Sequence, residues 1–175
     1  MPLLLGLVFV GMSFVLWREF KGDHDPEEIF TLTCLLALTG LFVGYVFGLG
    51  LVVAILAMIA VLVVWCRRMV WNWGEWLDAL GLQAFFWLAI ANFRQIPIAI
   101  FFVVGYVILL ILKRYYRAFS WYRSGKPGFV GLCAVSIFGF LEIVIAFLTK
   151  TNVYSAILGG WMIVIPQVIL WLRKK

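Results

Sequence analysis

Residues 29–66 read IFTLTCLLALTGLFVGYVFGLGLVVAILAMIAVLVVWC, 38 positions without one charge. A helix crossing a hydrocarbon slab of about 30 Å uses about 20 residues, so this run is too long for one crossing and long enough for two short ones. The reversal is expected at Gly48-Leu49-Gly50, because glycine accepts the backbone angles a tight turn needs. A hairpin of two apolar helices is therefore the first element of the fold.

The rest of the chain has the same character. Of 175 residues, 66% are hydrophobic and 13% charged, against about 45–50% and about 25% in soluble domains. The reading is an all-α integral membrane protein forming a single transmembrane domain over residues 1–175, with seven spans at about 3–17, 29–47, 50–66, 77–93, 96–112, 128–148 and 153–172. Leu3–Trp17 lacks the basic start and small-residue cleavage site of a secretion signal and is expected to be a retained helix.

Seven crossings place alternate loops on opposite sides, and the cations test that arrangement. One side takes Arg18, Lys21, Arg67, Arg68, Lys113, Arg114, Arg117, Arg123, Lys126, Arg173, Lys174 and Lys175; the other takes Arg94 and Lys150. Such a bias puts the amino terminus outside and the carboxyl terminus in the cytoplasm. The net charge of +6 is thus explained by membrane orientation, and no nucleic-acid partner is expected. The mixed aromatic and basic stretches WNWGEW (71–76) and YYRAFSWYR (115–123) are read as interfacial belts.

In DHDPEE, Asp25 can cap a helix, Pro26 suits its first turn, and Glu27 and Glu28 favour the positive end of its dipole. His24, the single histidine, is expected to be a solvated loop residue. Cys34, Cys66 and Cys133 have no paired spacing and are read as buried thiols, with no metal site.

Few ionisable groups fall inside spans, where each is a functional candidate. Asp78 lies near the start of the fourth span and is read as a cap or a group reaching the interface. Glu142, in FGFLEIVIAF, has no charged neighbour between Lys126 and Lys150. At helical rise it sits in the outer half of the membrane, at the depth of Asn92 and Arg94 in LAIANFRQIP (88–97). These three are the candidate binding residues, with Arg94 and Glu142 expected to pair or to face one cavity and Gln95 to satisfy nearby groups. Glu142→Gln and Arg94→Gln should each lower the melting temperature, and a charge-swapped double variant should restore it; additive losses would rule out contact.

Four stretches resemble the prolipoprotein diacylglyceryl transferase family: WREFKGDHDPEEIFTLTCLLALTGLFVGYVFG, WLDALGLQAFFWLAIANF, KPGFVGLCAVSIFGFLEIVIAF and the closing WLRKK. Together they cover about half of the chain. The resemblance implies an enzyme of the bacterial cytoplasmic membrane that moves a diacylglyceryl group from phosphatidylglycerol to the lipobox cysteine of a prolipoprotein, engaging its signal peptide and using no cofactor. The family signature is met in part. Ala91, Asn92 and Phe93 match it, but Leu88 and Ala89 stand where it has Gly-Arg, and Gln95 and Pro97 where it has Asn and Glu. Its His-Gly-Gly stretch has no counterpart, and Glu142 and Ala146 replace an arginine and a glutamate. The alternative is a catalytically inactive relative that binds lipid or scaffolds another membrane protein. Catalytic residues are not assigned under either reading. A small transporter is disfavoured, because no internal repeat is present.

Overall fold

The computed structural model describes residues 2–47, 50–119, 122, 126–149 and 153–173. Among these the protein is all-helical: α1 (Pro2–Phe20), α2 (Pro26–Leu41), α3 (Gly50–Arg68), α4 (Trp73–Ala91), α5 (Ile96–Tyr115), α6 (Phe129–Thr149) and α7 (Val153–Leu172). Each expected span has its helix, most ends agreeing within three residues. The exceptions are α4, which begins four residues earlier because Trp73, Gly74, Glu75 and Trp76 already form its first turn, and the end of α2. There the helix gives way at Leu41 to a π-helical turn, Phe42–Val46. The Thr39 hydroxyl donates to the Leu35 carbonyl at 2.7 Å just before it, a back-bond that loosens the helical ladder.

Packing divides the chain into two compact units, Met1–Trp73 with Trp87–Ala99 and Gly74–Phe86 with Ile100–Lys175. In the first, Ile29, Leu32, Thr33 and Leu36 form the buried stripe of α2, with the spacing of one helical face. The Ser13 hydroxyl donates to Thr33 Oγ1 across α1 and α2 at 3.2 Å. Small residues seat α2 and the π-helical turn that follows it on α3: a Cβ on Gly40 would lie 3.1 Å from Met58 Sδ, and one on Gly44 3.4 Å from Ala54 Cβ. Contacts advancing one turn along this stretch retreat one turn on α3, so the two helices form the antiparallel hairpin expected of residues 29–66. Gly48 and Leu49 of the expected turn lie outside the described residues.

In the second unit the N-terminal half of α4 runs parallel to α6. A Cβ on Gly81 would lie 2.9 Å from Ala134 Cβ and 3.2 Å from Gly131 Cα, and one on Gly131 would strike the Leu77 carbonyl. α6 and α7 form a second antiparallel hairpin on Gly139 and Gly159, where a Cβ on either would come within 2.8 Å of the other's carbonyl oxygen. Phe85, Phe102 and Phe138 meet edge-on or tilted with centroids 5.6–6.4 Å apart, and the Phe85 ring occupies the space above Gly105.

Candidate functional site

The polar stretch LAIANFRQIP resolves into a helix end, a turn and a helix start. Leu88 O accepts from both the Asn92 backbone N–H (3.0 Å) and the Asn92 side-chain amide (2.9 Å). Gln95 N–H closes the turn on Asn92 O at 2.8 Å, and Gln95 O accepts from Ile98 and Ala99, both at 3.0 Å. Pro97 falls in the first turn of α5, where a missing N–H removes no helical bond. Asn92 is thereby committed to terminating α4. Arg94 is exposed, its guanidinium 6.0 Å from the ring centroid of Phe93, itself 60% exposed.

Asn92 and Arg94 are thus brought together in one turn of the first unit. Glu142 belongs to the second unit and lies half-buried on the α6–α7 seam, its Cβ 3.3 Å from where a Cβ on Gly159 would sit.

Asp78 is bonded into the second unit. It is buried, at 8% exposure, and its two carboxylate oxygens accept from Gly128 N–H at 2.8 Å and Gly131 N–H at 2.7 Å. These are among the N–H groups that open α6, left without partners by the helix itself. The cap therefore comes from another helix, 50 residues away in the chain. Its geometry depends on Gly128, whose φ of +101° suits glycine. On the same loop the Arg173 guanidinium donates to Pro127 O at 2.8 Å. A helix N-terminus is a ready anion site, and here Asp78 fills it. That terminus offers no place for a lipid phosphate, and the carboxylate is committed to structure.

The aromatic stretches depart from a simple interfacial belt. Tyr116 stacks on Phe129 (5.4 Å, 6°) and Tyr122 packs on the same ring at 4.9 Å. Tyr122 is fully buried, with its hydroxyl donating to Lys126 O at 3.0 Å. Tyr115 remains exposed beside Arg114, whereas Trp76 is a core residue at 1% exposure. His24 is not merely solvated. Its imidazole is half-buried and stacks on Trp71 with centroids 4.1 Å apart. Asp25 takes the N-cap position of α2 with extended backbone but makes no side-chain cap bond; Pro26 and the two glutamates occupy the first turn as expected.

The three cysteines are free, Cys66 buried and Cys34 and Cys133 half-buried. Among the described residues no group of three His, Cys, Asp or Glu side chains is placed to hold a metal ion. No protein-family model, no curated protein and no solved structure matches this chain.

Proposed function

We propose that the chain is a multi-pass protein of the bacterial cytoplasmic membrane, amino terminus outside and carboxyl terminus inside, that binds phosphatidylglycerol on a transferase-like scaffold without transferring its diacylglyceryl group. The observation that carries the membrane part is the apolar outer surface of its helices. On α5, Ile100, Val103, Val104, Val107, Ile108 and Ile111 are all 44–57% exposed, and on α7 Ile157, Trp161, Val164, Ile165 and Val168 are exposed likewise. Apolar area left in water costs about 25 cal/mol per Å², and monomers in water rarely carry contiguous apolar bands of this extent. Hydrocarbon is the solvent that suits them. Two helical stretches, Pro26–Gly44 and Ile96–Ala118, are long and apolar enough to cross a bilayer by length and composition. Pro166 inside α7 is a feature membrane helices tolerate.

Lipid binding without transfer is supported by how the polar groups are used. Thiol activation and departure of glycerol phosphate call for a base and cations around the headgroup. Asp78 and Asn92 are bonded into helix ends, and Arg94, exposed beside Phe93 on the expected outer face, is a cation placed for a headgroup. The transfer reaction is the second reading, favoured by the resemblance of four stretches in chain order.

Alkaline carbonate should leave the protein in the membrane pellet, and release into the supernatant would overturn the membrane reading. Expression in a bacterium depleted of its own diacylglyceryl transferase should leave prolipoprotein unmodified. Restored lipoprotein maturation would assign the transfer reaction instead.

A further inference from the structure

We propose that the loop end of α1 and α2 binds one aminophospholipid, an acyl chain in the crevice between the helices and the phosphate and ammonium in the polar recess beside it; this rests on the membrane reading. The crevice, about 280 Å³, is lined by Ser13, Phe14, Trp17, Pro26, Ile29 and Phe30, apolar apart from the Ser13 hydroxyl, which is bonded to Thr33. An alkyl chain is the kind of occupant that such an apolar lining suits. The recess, also about 280 Å³, presents Lys21, Asp23, His24, Asp25, Glu28 and Trp71.

The two spaces adjoin. The Lys21 ammonium stands 5.7 Å from the Trp17 ring centroid in the crevice wall, and Asp25–Pro26 and Glu28–Ile29 each put one residue in the recess and the next in the crevice. Tryptophan at this level suits headgroup depth.

Charge complementarity selects the headgroup. Lys21 can donate to a phosphate, while the carboxylates of Asp23, Asp25 and Glu28 suit an ammonium. Asp25, free of a cap bond, leaves its carboxylate to the recess. An anionic glycerol headgroup would bring no cation to those carboxylates. Val70, a β-branched residue held at φ +59°, lies next to Trp71; such outliers persist where the surroundings impose them and cluster at ligand sites.

The test uses the full chain carrying Arg94→Gln, which removes the cation assigned to phosphatidylglycerol, in an uncharged detergent, given an equimolar mixture of phosphatidylethanolamine and phosphatidylglycerol, with retained lipid read by native mass spectrometry. One phosphatidylethanolamine per chain should be enriched roughly tenfold, the ratio that about 1.4 kcal/mol gives. Glu28→Gln should reduce that preference severalfold, and Lys21→Glu should abolish retention. Retention in the ratio supplied, or a preference unchanged in both variants, overturns the proposal and leaves the membrane reading standing. Carbonate release of the protein would instead remove both.

Discussion

Asp78→Ala is expected to destabilise the protein by about 3 kcal/mol. Hydrogen bonds to a charged partner contribute about 1.5–3 kcal/mol each, and a buried donor left unsatisfied costs about 1–3 kcal/mol. The alanine variant strands the N–H groups of Gly128 and Gly131, both in buried positions. For a chain of this length the melting temperature should fall by about 6–12 °C. Asp78→Asn keeps one acceptor oxygen but turns an NH₂ toward the second donor and removes the charge that favours a helix N-terminus, so it should fall between. The order Asp, Asn, Ala is the discriminating result. A carboxylate reaching an aqueous interface would make both substitutions mild and nearly equal, so an Asp78→Ala melting temperature within about 2 °C of the wild type would eliminate the cap.

That cap also marks where sequence reading stops. Asp78 is legible as a residue near a span start, and residue 128 as the approximate start of another span. The bond between them depends on α4 and α6 lying side by side and parallel, which no local pattern encodes: periodicity tells which face of a helix is apolar, not which helix covers it. The seven helices, by contrast, follow from hydrocarbon runs and their interruptions. The hairpin of residues 29–66 is read from run length and glycine. Tyr116 and Tyr122 show the same divide from the other side. Beside Arg117 and Lys126 they look like headgroup aromatics, yet both pack on Phe129, and only the path of the loop onto α6 decides that. In LAIANFRQIP the bond from Asn92 to Leu88 O is local, yet the sequence reads Asn92 as a binding residue, because a polar side chain at a span end suits either use. Glu142 was found as an isolated charge, but its place on the α6–α7 seam comes from the glycine that faces it.

Two adjacent glycines give the second large effect. Sequence alone offers no reason to distinguish Gly159 from Gly160, and the helix pairing makes them opposites. A Cβ on Gly159 would meet Gly139 O at 2.8 Å, Ile143 Cγ1 at 3.0 Å and Glu142 Cβ at 3.3 Å, whereas one on Gly160 would meet nothing within 4 Å. The first obstacle is backbone, so Gly159→Ala must push α6 and α7 apart. Small residues are what allow two helix backbones to approach this closely, and overpacking costs about 1–3 kcal/mol. Gly160→Ala adds a methyl group to open surface and gains helix propensity, up to about 1 kcal/mol. In one detergent the two variants should therefore melt about 5–10 °C apart, with Gly160→Ala at or above the wild type. Gly139→Ala should resemble Gly159→Ala, since its Cβ would lie 2.6 Å from Gly159 O and 2.7 Å from Met162 Cβ. The Gly139→Ala/Gly159→Ala double variant should lose less than the sum of the singles, because the first methyl group opens the gap the second needs. Equal melting of the Gly159 and Gly160 variants would mean that the seam is not closed on Gly159, and Glu142 would then lie in different surroundings from those described.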